Sequence, residues 1–101
     1  MTWVFIGGGL MANNSFEKDP QAVLDYKVDW SDWLTDGETI TTSTWTVPSG
    51  ITEDSDTHDD DSATIWLSGG TAGKRYTVIN HIVTTAGRED DRSIVISVKN
   101  R

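Results

Sequence analysis

The side chains best suited to chemistry in this sequence lie in one acidic stretch, Glu53 to Asp61 (EDSDTHDDD), in which six of nine residues are Asp or Glu. Clustered carboxylates can surround Ca²⁺, which takes about six to eight oxygen ligands. The stretch lacks the mid-loop glycine and the closing glutamate of an EF-hand loop. We therefore expect a solvated loop here, and we predict that the chain binds no metal and no other cofactor.

Catalysis by histidine or by paired carboxylates receives no support from the sequence. His58 and His81 are the two histidines, and neither stands in a nucleophile elbow or a Ser-His-Asp arrangement. Glycosidases use a pair of carboxylates, but 16 Asp and Glu in 101 residues supply such pairs by chance. We predict no catalytic residue and expect a protein that is not an enzyme.

Tryptophan is unusually frequent in a chain that has only two Tyr and two Phe. The five are Trp3, Trp30, Trp33, Trp45 and Trp66. A small β-sandwich commonly buries one or two of them, which accounts for Trp30 and Trp45. Trp3 and Trp33 are candidate interface residues, because Trp is enriched in binding hot spots. Exposed tryptophans also stack on sugar rings, so a carbohydrate-binding module is an alternative function.

The elements that must position these side chains are β-strands. From Leu24 to Trp30 apolar residues occupy every second position, which is the period of a half-buried strand. Ser31 to Gly37 follows as a tight corner, since it offers Ser and Asp for capping and Gly for a turn. Thr39 to Val47 is rich in β-branched residues, and a bulge between Ile40 and Trp45 would bring both onto one face.

Three further strands complete the pattern: Ala63 to Leu67, Tyr76 to Thr85, and Arg92 to Val98. In the second of these, Asn80 interrupts an inward face formed by Tyr76, Val78 and Ile82. The short strands are separated by turn signals, and no helical period occurs. The pattern predicts an all-β fold over residues 21–101, an immunoglobulin-like antiparallel sandwich of about six short strands. A small barrel is the structural alternative.

Residues 1–20 have no periodic pattern, and we expect them to form an extended N-terminal arm. Met1 to Leu10 lacks the basic region and the long apolar run of a signal peptide. Three glycine codons just before the codon of Met11 resemble a ribosome-binding site, so we expect translation to start at Met11. Apolar residues of the arm have no periodic face to bury against their own domain. Together with the corner tryptophan, the candidate contacts with a neighbouring chain are Trp3, Phe5, Phe16 and Trp33.

Composition narrows the class of partner. The formal charge of −8 disfavours nucleic acid, because phosphate binding needs a concentrated Lys and Arg surface. No apolar run approaches the roughly 18 residues of a membrane span. Without cysteine, the fold must depend on packing and backbone pairing alone. An acidic surface of this kind steers a protein toward basic patches on other proteins.

Four blocks of the sequence together resemble a known family. They are DYKVDWSDWL (Asp25 to Leu34), TSTWTVPSGI (Thr42 to Ile51), WLSGGTAGKRYTV (Trp66 to Val78) and TTAGREDDRSIVISV (Thr84 to Val98). In order and spacing they are similar to small proteins of tailed bacteriophages and prophages described as fiber-tail adaptor proteins. The resemblance covers roughly residues 19–99. The family starts close to Met11, so residues 1–10 depart from its pattern.

The resemblance implies an immunoglobulin-like virion protein that joins a tail fiber to the tail or to the portal-proximal assembly. The implied partners are other virion proteins and copies of the chain itself in a ring, with no role for nucleic acid or membrane. The implied location is the virion, after synthesis in the host cytoplasm. The family assigns no catalytic residue. A capsid decoration protein has the same composition and is the alternative of the same class.

Overall fold

The computed structural model describes residues 2–5, as backbone, and residues 15–100. These residues form eight β-strands and no helix. The strands are β1 (Thr2–Phe5), β2 (Ser15–Lys18), β3 (Leu24–Asp29), β4 (Ile40–Thr46), β5 (Ile51–His58), β6 (Ser62–Gly69), β7 (Arg75–Thr84) and β8 (Glu89–Val98). Among the described residues, therefore, no helix is long and apolar enough to span a membrane.

The strands make two four-stranded sheets. Sheet 1 has the order β1-β3-β6-β5, and sheet 2 has the order β2-β8-β7-β4. The pairs β1–β3 and β2–β8 are parallel, and all others are antiparallel. The trios β3-β6-β5 and β4-β7-β8 reproduce the two facing sheets of an immunoglobulin-type sandwich. The predicted all-β sandwich is confirmed, with eight strands in place of about six.

The core lies between the two sheets. It consists of apolar residues that occupy every second position of their strands. Predicted inward residues of β3 and its end, Tyr26, Val28 and Trp30, are fully buried. In β8, Ile94, Ile96 and Val98 are fully buried as well. Further buried apolar residues are Ile40, Ile51, Ile65, Leu67, Tyr76, Val78 and Ile82. The period-2 pattern thus identified the inner faces of β3, β7 and β8.

The bulge predicted in the Thr-rich strand is present. The register between β4 and β7 shifts between Ile40 and Thr42. This shift lets Ile40 enter the core while Trp45, further along the strand, also packs against it. Of the two tryptophans expected in the core, Trp30 is fully buried and Trp45 is half-buried.

The solvated loop expected from Glu53 to Asp61 is wrong for most of its length. Ile51–His58 forms β5, which pairs with β6 along one edge of sheet 1. Only Ile51 of this strand is buried, because β5 runs along the rim of the sandwich and its remaining side chains face solvent. Backbone pairing holds the strand in place without the apolar alternation that identifies a core strand. The acidic connection is reduced to the turn at Asp59 to Asp61.

Part of the predicted arm joins the sandwich. Ser15–Lys18 forms β2, which runs parallel to the last strand of the chain. The fully buried Lys18 extends across the sandwich, where its Nζ donates hydrogen bonds to the carbonyls of Asp19 at 2.9 Å and Gly69 at 2.8 Å. Burial lowers the pKa of this amine. Strands β1 and β2 thus lie N-terminal to the boundary predicted at residue 20, and each pairs with a strand of the sandwich.

A tyrosine fixes the turn that leads into β7. The hydroxyl of Tyr76 accepts a hydrogen bond at 2.9 Å from the backbone N–H of Thr71, five residues earlier. A tyrosine at this place, bonded back to the preceding loop, is a recurrent feature of immunoglobulin-like sandwiches. Gly70 has a φ of 96° and lies so close to Val98 that a Cβ would be 2.6 Å from Cγ2. The glycine-rich turn is thus packed tightly under the tyrosine.

Candidate functional site

The outward face of sheet 1 carries one large aromatic ring. Trp66 on β6 is 39% exposed, and within residues 15–100 it is the exposed tryptophan. Its neighbours Ile65 and Leu67 are fully buried. Because strand side chains alternate between faces, Trp66 points outward. The alternation in ATIWL was visible in the sequence and would have identified this residue, which the candidate set omits.

Small and acidic side chains surround Trp66. In register it lies opposite Asp25 on β3 and Ser55 on β5. Two residues along β6, Ser68 donates a hydrogen bond of 2.8 Å from its hydroxyl to Oδ1 of Asp54. Among residues 15–100, the neighbours of the ring in register are thus small or acidic, and the acidic edge strand β5 lies next to it.

The charge of the chain is unevenly distributed. Residues 28–73 contain ten of the 16 acidic residues and none of the eight Lys and Arg. This segment supplies β4, β5 and β6, and β4 contacts both β5 and β6 across the sandwich. On the outward face of sheet 1, Lys27 lies opposite Thr64 in register. The segment is acidic in sequence, and cations from outside it lie near some of its carboxylates: Arg88 at Glu38, Lys18 at Asp54 and Lys27 at Asp61.

Some acidic residues of this segment repel one another. A hydrogen bond with Asp56, together with partial burial and the Asp56 charge, raises the pKa of Glu53 to about 7. At the turn after β5, burial and the neighbouring Asp59 raise the pKa of Asp61. A raised carboxyl pKa means that the negative form is disfavoured in the fold. Repulsion of this kind is concentrated at Glu53 and Asp61, whereas Asp54 of the same strand interacts with the ammonium group of Lys18.

Trp33, one of the candidate interface residues, lies in a structured corner. It is half-buried and packs edge-on against Trp30, with ring centroids 5.4 Å apart. The guanidinium of Arg88 lies 4.0 Å from the centroid of the Trp33 ring and donates a hydrogen bond to the Trp33 carbonyl. These contacts attach the corner after β3 to the β7–β8 turn.

A buried carboxylate completes that corner. The side chain of Glu38 is 2% exposed and accepts hydrogen bonds from Nε and Nη2 of Arg88, from Thr84 and from Thr35. The Arg88 guanidinium and the other donors hold the pKa of Glu38 well below its ordinary value. The corner is a closed polar network, and its arrangement serves to hold Trp33 in place.

The remaining candidates lie on β1 and β2, each of which is an edge strand of its sheet. Phe16 on β2 is half-buried, with its ring centroid 5.5 Å from that of Tyr26. Trp3 and Phe5 belong to β1, where their backbone lies opposite Lys27 and Asp29, and their side chains lie outside the described residues. An interface role for each of the four residues stays a prediction.

Among residues 15–100, the arrangement that most resembles a catalytic group lies on the outward face of sheet 2. Nδ1 of His81 contacts Asp91, and Nε2 lies 3.0 Å from Oε1 of Glu89. Both carboxylates raise the pKa of His81. Carboxylates at both ring nitrogens thus favour the protonated form of His81, in which both nitrogens donate. No group of three His, Cys, Asp or Glu residues within 15–100 is arranged to hold a metal ion.

Comparison with known families finds a match that covers most of the chain. A family model described as "Podophage GP4 fiber-tail adaptor protein gp77" matches residues 18–97. The match confirms the resemblance that the four sequence blocks indicated over residues 19–99. It begins at the end of β2 and ends one residue before the end of β8, so it spans the body of the sandwich. A search of curated proteins found no match.

Proposed function

Because the chain belongs to the podophage GP4 fiber-tail adaptor protein family, we propose that it links a tail fiber to the tail or to the portal-proximal assembly through protein contacts. The family match is the observation that carries this proposal. A structural adaptor acts by binding, so the proposed mechanism needs complementary surfaces and no catalytic step. The protein would be made in the host cytoplasm and act in the virion.

The side chains support protein binding better than sugar binding. A carbohydrate platform needs two or more exposed, coplanar aromatic rings on one face. Within residues 15–100, Trp66 is exposed, whereas Trp30 is buried and Trp33 and Trp45 are half-buried. A single exposed indole beside an acidic strand favours a protein partner.

Self-association in a ring is the second part of the proposal. Edge strands present unpaired N–H and C=O groups, which can pair with another chain. Copies that each carry a charge of −8 repel one another, and the edge strand β4 (ITTSTWT) has no charged residue. If β4 of one copy lies beside β2 of the next, the contact is head-to-tail and can close into a ring. Phe16 on β2 would then lie at the junction.

A charge placed on the β4 edge tests the ring. Lysine on an edge strand blocks strand addition, so Thr44→Lys should lower the oligomer mass measured by native mass spectrometry. Thr77→Lys is the matched control, because Thr77 is exposed on the central strand β7, away from the edge. Equal masses for the two variants and the unmodified chain would contradict assembly through β4.

Deleting the gene tests the adaptor role. Virions produced without the chain should contain filled heads and tails but should lack fibers, and a plasmid copy of the gene should restore them. Electron microscopy of the particles measures fiber occupancy. Particles that keep their fibers but have less stable capsids would instead support a decoration protein.

A further inference from the structure

The turn that precedes the buried Glu38 contains the one Asp-Gly pair of the sequence, Asp36-Gly37. We propose that Asp36 is a site of spontaneous modification, at which aspartate isomerises to isoaspartate, and that the modification loosens the corner that holds Trp33. The reaction involves only groups of the chain itself and water, so the inference is independent of the proposed adaptor function.

The reaction joins the peptide nitrogen of Gly37 to the side chain of Asp36. The nitrogen forms a bond to Cγ of the protonated carboxyl group, whose hydroxyl leaves with the N–H proton as water. The product is a five-membered succinimide ring. When water adds back at the α-carbonyl carbon, the original C–N bond breaks and the chain continues through Cβ and Cγ. The modified residue keeps the mass and charge of Asp36, but the backbone gains one methylene group.

Both reacting groups are exposed and make no hydrogen bond in the part of the chain that the structure describes. Asp36 and Gly37 lie on the surface. Within residues 15–100, the Asp36 carboxylate has no hydrogen-bond or ion-pair partner, and the Gly37 N–H has no acceptor. A Cβ built on Gly37 would meet no atom within 4 Å. Glycine also lacks the side chain that would hinder approach to its own nitrogen.

Two other aspartates in exposed turns show the contrast. The carboxylate of Asp59 accepts a hydrogen bond at 2.9 Å from the N–H of Ser62. Asp32 is exposed, but the N–H of the next residue, Trp33, donates to the carbonyl of Trp30 at 2.9 Å. A carboxylate or a nitrogen that is held in this way must give up its hydrogen bond before it can react. The Asp-Gly pair has no such bond to lose.

The turn around this pair is closed by hydrogen bonds between its first and last residues. The Glu38 N–H donates to the Thr35 carbonyl at 3.0 Å, and the N–H and hydroxyl of Thr35 donate to the Glu38 carboxylate at 3.0 and 3.1 Å. Gly37, with a φ of 80°, occupies the third position of this four-residue turn, as in a type II turn. An extra methylene group lengthens the path that these bonds must close, so the turn can no longer keep this geometry.

The effect extends to the corner because Glu38 belongs to both structures. Its carboxylate also accepts hydrogen bonds from Arg88, whose guanidinium lies 4.0 Å from the centroid of the Trp33 ring. Once the turn no longer positions Glu38, the ion pair with Arg88 weakens. The corner that holds Trp33 therefore loosens in molecules that carry the modification.

The test ages purified full-length protein at neutral pH and at a temperature below its melting transition. Peptide mapping by liquid chromatography and mass spectrometry separates isoaspartyl from aspartyl peptides, and a protein isoaspartyl methyltransferase labels the modified residue. Asp36→Glu is the principal variant, because glutamate keeps the charge but would have to close a six-membered ring, which forms far more slowly. Asp32→Glu is the matched control, since Asp32 is an exposed aspartate of the same corner.

We expect isoaspartate to accumulate at Asp36 in the unmodified chain and in Asp32→Glu. Their melting temperatures should fall as the modified fraction rises, whereas Asp36→Glu should keep its initial value. In nuclear magnetic resonance spectra, the signal of the Arg88 Nε–H, which donates to Glu38, should shift in the modified fraction. Accumulation at Asp36 no faster than at Asp32 or Asp60 would overturn the site. Isoaspartate at Asp36 with an unchanged melting temperature and Arg88 signal would overturn its effect on the corner.

Discussion

The hydrogen bond between Trp30 and Asn80 joins the two sheets inside the core, and its removal should be costly. Nε1 of Trp30 donates to Oδ1 of Asn80 at 3.0 Å, and both residues are fully buried. The amide of Asn80 also donates to Ser43 Oγ at 2.9 Å and to the carbonyl of Thr44 at 3.1 Å. Asn80→Leu keeps a similar side-chain size and removes all three bonds.

The expected loss of unfolding free energy depends on the hydrogen bonds that each partner of Asn80 can still make after the substitution. The Trp30 N–H would remain buried without an acceptor, which costs about 1–3 kcal/mol. Ser43 and Thr44 lie on the edge strand β4, where water can replace the lost donor, so each adds at most about 1 kcal/mol. The total is about 3 kcal/mol of unfolding free energy. For a domain of this size, this corresponds to a fall in melting temperature of roughly 12–24 °C.

Urea and thermal denaturation of Asn80→Leu, Trp30→Phe and the double variant measure the contact as a double-mutant cycle. Phenylalanine lacks the N–H, so the double variant should be at least about 1 kcal/mol more stable than the sum of the single losses predicts. Thr77→Ala, at an exposed position of the same strand, is the control and should change stability little. Single losses that add within about 0.5 kcal/mol would refute the importance of this bond.

Three further predictions concern the turn and the carboxylates. Gly70→Ala should lower the melting temperature more than Gly73→Ala, because both have positive φ but only Gly70 faces a close neighbour, Cγ2 of Val98; equal losses would contradict tight packing of the turn. The fold raises the pKa of Glu53 to about 7, which means that the protonated form stabilises the folded state. This contribution to stability is lost as the pH rises through 7. Glu53→Gln should therefore stabilise the fold at pH 8 and have little effect at pH 4, and urea denaturation giving the reverse order would contradict this. The fold lowers the pKa of Glu38 from 4.5, which means that its ionised form stabilises the folded state. This contribution to stability is present above pH 4.5 and is lost as the pH falls below it. Glu38→Gln should destabilise the fold at pH 7 by an amount that shrinks toward pH 2, whereas a constant difference would be inconsistent with the ion pair.

Central strands were predictable because they alternate. In β3 and in the second half of β8 every second residue is apolar, and each such residue from Tyr26 to Trp30 and from Ile94 to Val98 is buried. Asn80 was recognised as an interruption of the inward face of β7, and its polar side chain is satisfied there by the Trp30 indole. Alternation of apolar and polar residues indicates strands that are buried on one face. Several such strands predict a sandwich.

Edge strands and distant contacts were not predictable in the same way. β5 has one buried residue, Ile51, so its sequence has the composition of a loop although its backbone pairs with β6. β2 pairs in parallel with a strand about eighty residues further along the chain, and nothing local in Ser15–Lys18 indicates its partner. Trp33 and Arg88 are 55 residues apart, so their contact depends on the folded topology. Trp66 was within reach of the sequence, since Ile65 and Leu67 define the inner face of its strand.

Locating the chain within the virion by cryo-electron microscopy tests the adaptor function most directly. We expect density for the two-sheet sandwich at the junction of tail and fiber, with copies arranged around the tail axis. Density for the sandwich on the outer surface of the capsid, with none at the fiber junction, would contradict the adaptor role.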